Sequence, residues 1–128
     1  YEIKECDWSS DVCSSDLLAV RLSQHPAVQQ VYYPPALTSG AGRGGLMSIV
    51  LKSPARTTAA VFDRLRVCKG PNLGTSFTLC CPYTILAHYT ELDEVEAVGV
   101  SRWLLRISVG TEPLEDLWER FAEAIGGV

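Results

Sequence analysis

Arg106 is the residue whose type and setting are best suited to binding chemistry. It lies in Leu104–Val109, where apolar residues alternate with Arg106 and Ser108, so this segment predicts a strand with one apolar and one polar face. The polar face must meet water or a ligand. A guanidinium held on a strand presents paired donors that match a carboxylate. The spacing alone favours an arginine that pairs with a surface acid, and both interpretations stay open.

Two glycine-containing segments are weaker candidates for ligand binding. Asn72-Leu73-Gly74 follows a predicted helix end and precedes a predicted strand, so its backbone amides could face a ligand. Thr38–Gly45 is rich in glycine, but Gly42–Gly45 lacks the following lysine and hydroxyl residue of a phosphate-binding loop. A flexible loop is the better interpretation of that segment.

Composition excludes several classes of protein. A chain of 128 residues suits one domain, and 47% hydrophobic with 20% charged residues is a globular balance. A net charge of −4 argues against a broad nucleic-acid surface. No apolar run approaches the roughly 18–20 residues of a membrane span, and the N-terminus does not resemble a signal peptide. We therefore expect a cytoplasmic protein with neither a nucleic-acid nor a membrane partner.

The cysteines predict thiols rather than disulfides or a metal site. Their number, five, is odd, and no Cys-x-x-Cys pattern occurs. The two histidines, His25 and His88, are far in sequence from any cysteine pair, so we assign no metal ligands. Cys80 and Cys81 lie in an apolar run and are expected to be buried as small hydrophobic residues.

Residues 1–17 differ in character from the rest of the chain. They carry one basic and five acidic residues, repeat Ser-Ser-Asp, and show neither a helical nor a strand period. Residues 7–17 resemble the translation of a common sequencing adapter. We therefore expect 1–17 to be an artefactual or disordered extension and 18–128 to form the domain.

The remaining sequence predicts an α+β fold. A helix from Leu18 should end at His25-Pro26, and another should begin with Ser53 as its cap and Pro54 at its first position. The strongest helix opens at Pro113, with apolar residues at helical spacing. Strands are predicted at Val28–Tyr33, Leu46–Leu51, Thr75–Cys81 and Leu104–Val109. This order favours a small, mostly antiparallel sheet with helices packed on one face.

Two runs carry a resemblance to a known family. Asn72–Leu79 reads NLGTSFTL, and Leu104–Leu117 reads LLRISVGTEPLEDL. Together with His25-Pro26 and Val31–Pro34, they resemble the C-terminal domain of the Cys/Met-metabolism enzymes. These are pyridoxal-phosphate (PLP) enzymes of fold type I, among them cystathionine γ-synthase, cystathionine lyases and methionine γ-lyase. The likeness covers roughly residues 18–126.

The resemblance implies roles for four residues. Arg106 matches the family arginine that binds the substrate's α-carboxylate, and Asn72, with Leu73 beside it, matches a serine position that also contacts this group. The asparagine departs from the family pattern. Phe77 stands where several cystathionine enzymes carry a glutamate linked to substrate choice. An apolar ring cannot accept the distal ammonium of cystathionine, so Phe77 is a candidate for substrate selectivity.

The resemblance also implies PLP as cofactor, held in the family by a preceding domain that supplies the Schiff-base lysine. Lys52 and Lys69 match no catalytic lysine motif, so we assign neither catalytic nor cofactor-binding residues in this chain. We expect a fragment of a transsulfuration enzyme that is inactive alone and belongs to a homotetramer, with an amino acid as substrate. Substrate identity, lyase or synthase activity, and β or γ chemistry are undetermined. The alternative is a non-catalytic amino-acid-binding or regulatory domain.

Overall fold

The computed structural model describes residues 14–35 and 44–126, which form five α-helices and five strands. The helices are α1 (Ser14–Gln24), α2 (Pro54–Arg64), α3 (Tyr83–Ala87), α4 (Leu92–Ala97) and α5 (Leu114–Gly126), with a short 3-10 turn at Tyr89–Glu91. The strands are β1 (Val28–Tyr32), β2 (Leu46–Leu51), β3 (Cys68–Lys69), β4 (Leu79–Cys81) and β5 (Leu105–Ser108).

The strands form one sheet in the order β1-β2-β5-β4-β3. Its pairs are antiparallel except for β3 with β4, which are parallel. The central strand β5 is bordered by both β2 and β4, with Arg106 opposite Ser48 on one side and Cys81 on the other. The predicted small, mostly antiparallel sheet is confirmed.

One face of this sheet forms the core with α1, α2 and α5. Because side chains alternate along a strand, the register places Met47, Ile49, Leu105 and Ile107 on this face, where each is at most 1% exposed. The helices add their own apolar stripes. These stripes consist of Leu18 and Leu22 from α1, Val61 from α2, and Leu117, Phe121, Ala124 and Ile125 from α5. The helical spacing predicted for the last segment is thereby confirmed.

The first helix begins earlier than the sequence suggested. It starts at Ser14 rather than Leu18, and Ser14 and Ser15 are buried. The Ser15 hydroxyl donates to the Gly44 carbonyl (2.9 Å), and the Tyr33 hydroxyl donates to Asp16 (2.6 Å). Residues 14–17 thus belong to the described helix α1, where Ser15 and Asp16 are hydrogen-bonded to Gly44 and Tyr33. Residues 1–13 and the greater part of Thr38–Gly45 lie outside the described residues.

One other local prediction was wrong in extent, and the predicted start of α2 is confirmed. The expected strand Thr75–Cys81 is reduced to β4, since the amide of Thr78 bonds to the Glu112 side chain and the carbonyl of Ser76 to the turn after β5. Ser53 is the N-cap of α2 and Pro54 its first residue, although Ser53 has a left-handed backbone (φ 49°) and its side chain makes no capping hydrogen bond. The helix ends at Arg64, and the chain then continues into β3.

Within residues 14–35 and 44–126, we find no helix with the length and apolar character needed to cross a membrane.

Candidate functional site

Arg106 lies on the face of the sheet opposite the helical core. Its strand neighbours Leu105 and Ile107 are at most 1% exposed and fix the backbone, while Arg106 itself is half-buried. Cross-strand pairing places Ser48 and Cys81 beside it on the same face. The expectation that Arg106 occupies the polar face of a rigid strand is therefore confirmed.

The guanidinium is held from two directions. Its Nη2 donates to the Pro71 carbonyl and, at 3.4 Å, to the Asn72 carbonyl. Its carbon lies 5.3 Å from the centre of the Tyr83 ring, within the range of a cation–π interaction. Tyr83 is in turn edge-on to His88, with 6.1 Å between the ring centres. The described contacts of Arg106 are carbonyls and a ring rather than a carboxylate, so it is not neutralised as a surface ion pair would be.

The remaining predicted site residues lie in the segment 71–78, whose first two residues contact Arg106. Asn72 is exposed and contributes its backbone carbonyl to Arg106. Leu73 and Phe77 are exposed apolar side chains, 56% and 45% accessible. The structure therefore places Asn72 in contact with Arg106 and both apolar residues on the same short loop.

Ser108 departs from its predicted exposure. It is 5% exposed, and its Oγ accepts a hydrogen bond from the Gly74 amide at 3.1 Å. Gly74 has a φ of +73°, a conformation that residues with a side chain rarely adopt. The loop thus covers Ser108, whereas Arg106 on the same face of β5 stays half-buried.

Comparisons with known proteins match this sequence and fold. The model of the Cys/Met metabolism PLP-dependent enzyme family covers residues 11–126. The chain belongs to this family. Cystathionine gamma-synthase of Neurospora crassa is 45% identical over 81% of this chain and 18% of its own length. The enzyme of the same name from Saccharomyces cerevisiae is 48% identical over 69% of this chain and 14% of its length.

A solved structure agrees with the fold of this family member. Cystathionine gamma-synthase of Xanthomonas oryzae pv. oryzae, crystallised with cystathionine, superposes with a TM-score of 0.77 and 29% identity. The alignment covers 88% of this chain and 32% of that one. The chain therefore spans less than a third of the length of these three relatives.

Of the two lysines among the described residues of this PLP-family chain, Lys69 lies on the sheet face away from Arg106. Lys69 pairs with Cys80 in the sheet register, whereas Arg106 pairs with Cys81, so Lys69 and Arg106 lie on opposite faces. The Lys69 ammonium lies 4.9 Å from the centre of the Phe62 ring. Lys52 is exposed at the end of β2.

The two adjacent cysteines are buried, as predicted. Cys80 is 0% exposed, and burial raises the pKa of its thiol from 9.0 to about 12. Burial also raises the pKa of Cys81, an effect that the nearby Arg106 charge partly opposes. Both thiols therefore stay protonated at neutral pH and are poor nucleophiles.

Sequence reasoning missed three residues that shape this site in the family member. Tyr83 stacks on Arg106, and Glu112 and Thr78 bond to each other at the far end of the loop. Tyr83 lies between two predicted strands, in a stretch for which the sequence predicts no element, and Thr78 lies within the predicted strand Thr75–Cys81. The available signal was Glu112, which lies within the family-like run after β5 but was given no role.

Proposed function

We propose that this chain supplies the substrate α-carboxylate clamp of a PLP-dependent transsulfuration enzyme. The reaction class is elimination or replacement at the β or γ carbon of an amino acid such as cystathionine or an O-acylhomoserine. The observation that carries this proposal is Arg106, a half-buried cation on a rigid strand whose described partners are neutral.

The surroundings of Arg106 suit a carboxylate ligand. Backbone carbonyls and an aromatic ring restrict the guanidinium without neutralising it, so little ordering remains to be done when a substrate binds. A planar guanidinium can then give two parallel hydrogen bonds to the carboxylate. Fixing the amino acid by this group orients the bond to be broken relative to the cofactor.

The cofactor and assembly belong to the same proposal. PLP, when bound, supplies the electron sink for the reaction. Because Lys69 lies on the sheet face away from Arg106 and neither Lys52 nor Lys69 matches a catalytic lysine motif, we propose that the lysine that binds PLP lies outside these 128 residues and that this chain is inactive alone. A homotetramer follows from the family resemblance. A cytoplasmic location is supported by the free thiols of Cys68, Cys80 and Cys81.

The testing experiment compares Arg106→Ala and Arg106→Lys in a full-length enzyme that contains this chain. We expect Arg106→Ala to lower kcat/KM at least about a hundredfold, roughly 2.7 kcal/mol. Arg106→Lys keeps the charge but loses the planar fork, so it should also impair binding. Steady-state kinetics over a range of amino-acid concentrations give both values.

The matched control is Arg102→Ala. Arg102 is a half-buried arginine near β5, bonded to Asp93 (2.6 Å) and Glu96 (3.0 Å). Its replacement by alanine should leave kcat/KM close to wild type. Similar small losses in both alanine variants would overturn the proposed role of Arg106. If instead the isolated chain bound amino acids through Arg106 while Arg106→Ala left catalysis unchanged, the non-catalytic binding domain would be the correct alternative.

A further inference from the structure

Glu112 makes a two-pronged contact with one buried residue of the site loop. Its Oε1 accepts a hydrogen bond from the Thr78 hydroxyl at 2.7 Å, and its Oε2 accepts one from the Thr78 amide at 2.9 Å. Thr78 is 0% exposed, and the Glu112 side chain is 19% exposed. A carboxylate that accepts two hydrogen bonds in partial burial is a strong attachment point.

Neighbouring contacts extend this attachment along the loop. The Gly110 amide donates to Thr78 Oγ1 at 2.9 Å, and the Thr111 amide donates to the Ser76 carbonyl at 2.8 Å. A Cβ on Gly110 would lie 2.5 Å from the backbone of Phe77, so only glycine allows this approach. The turn after β5 therefore holds the C-terminal half of the loop.

The N-terminal half of the same loop touches the clamp directly. Gly74 donates to Ser108, and Asn72 accepts from Arg106. The loop thus runs from Thr78, which bonds to Glu112, to Asn72, which bonds to Arg106. Glu112 also lies 3.8 Å from Arg120, but that arginine donates to the Arg66 carbonyl, and partly exposed ion pairs of this length contribute little.

We propose that Glu112 is a positioning residue for the carboxylate clamp. Through Thr78 it fixes the loop 72–78, and through the loop it fixes the Asn72 carbonyl against Arg106. The link to substrate rests on the proposed function of Arg106, whereas the link from Glu112 to the loop does not.

The first measurement is amide hydrogen exchange by NMR on the 128-residue chain. We expect Glu112→Ala to speed amide exchange at Thr78 and Gly74 at least about tenfold, because the loop loses its hydrogen bonds to a charged group. The amide exchange rate at Ile49 in β2 should be unchanged. Glu112→Gln should restore part of the protection, since its amide oxygen still accepts one bond. Thr78→Val should mimic the alanine variant, and Thr78→Ser should not.

The second measurement follows the clamp itself. The side-chain Nε–H signal of Arg106 should shift in Glu112→Ala and return toward wild type in Glu112→Gln. Glu119→Ala, which removes the same charge from an exposed position on α5, should leave this signal unchanged. In a full-length enzyme, Glu112→Ala should raise KM for the amino acid several-fold with little change in kcat.

Two results would overturn the proposal. Equal acceleration of exchange at Thr78 and Ile49 would mean that Glu112 only stabilises the fold as a whole. An unchanged Arg106 signal or an unchanged KM in Glu112→Ala would break the link between loop and clamp. If Arg106→Ala itself leaves catalysis intact, the proposed function fails while the exchange results still stand on their own.

Discussion

At the scale of single residues, neighbours decide what an arginine can do. Arg102 and Arg106 lie four positions apart, yet Arg102 is bonded to two acidic side chains, whereas Arg106 is held by carbonyls and a ring. The difference arises from the chain segments that the fold brings to each position. Local spacing left the two interpretations of Arg106 open because those segments are about 20 to 35 residues away in sequence.

Tyr83 provides a prediction about this residue environment. Tyr83→Phe keeps the aromatic face over which the guanidinium lies, whereas Tyr83→Leu removes it. In a full-length enzyme we expect Tyr83→Leu to raise KM for the amino acid several-fold and Tyr83→Phe to stay near wild type. Steady-state kinetics separate the two variants. Equal losses in both would show that the hydroxyl, rather than the ring face, matters.

The cysteines give a second residue-scale prediction. Cys68 is exposed, while Cys80 and Cys81 are buried with raised pKa values. Iodoacetamide at pH 8 should therefore modify Cys68 and spare the other two until a denaturant is added, as mass spectrometry of the peptides would show. Because the Cys80 pKa is raised from 9.0 to about 12, its protonated form stabilises the fold below about pH 9. This contribution should fade as the pH rises from about 9 to 12. Rapid labelling of native Cys80 at pH 8 would contradict the burial.

At the scale of elements, the sequence correctly predicted the strand and the helix whose apolar residues recur with a regular period. The alternation in β5 and the helical spacing in α5 both match the structure, because each element buries one face against the core. Thr75–Thr78 failed as a strand since hydroxyl residues there bond locally, as Thr75 does to the Phe77 carbonyl (2.6 Å). The two-residue strand β3 carries too short a pattern to be recognised.

The start of α1 gives an element-scale prediction. Residues 1–13 offer no apolar pattern, so their deletion should leave thermal unfolding unchanged. Deletion of 1–17 also removes the contacts of Ser15 and Asp16 with Gly44 and Tyr33. We expect this longer deletion to lower the free energy of unfolding by about 1–3 kcal/mol, the scale of a few lost hydrogen bonds. Urea denaturation of both variants would measure the difference, and equal stability would show that these contacts contribute nothing.

At the scale of the whole molecule, the site is assembled from parts distant in sequence. The motif runs singled out Arg106 and Asn72, because such short runs identify residues directly. They did not single out Tyr83, or the bond between Thr78 and Glu112, since these depend on how β4, α3 and the turn after β5 meet. Pairing across the sheet also placed Lys69 and Arg106 on opposite faces, which the order of the sequence does not reveal.

This placement of the lysines leads to a prediction about the cofactor. If neither Lys69 nor Lys52 can serve the site of Arg106, the isolated chain incubated with PLP should retain no stoichiometric visible absorbance after dialysis. Non-specific reaction of PLP with exposed lysines would give a sub-stoichiometric absorbance. That absorbance would decrease to a similar extent in Lys52→Arg and in Lys69→Arg. A full-length enzyme containing the chain is the matched positive control, and its absorbance should survive both substitutions. A stable one-to-one absorbance in the isolated chain, lost on substitution of one of these lysines, would instead place a cofactor site within these 128 residues.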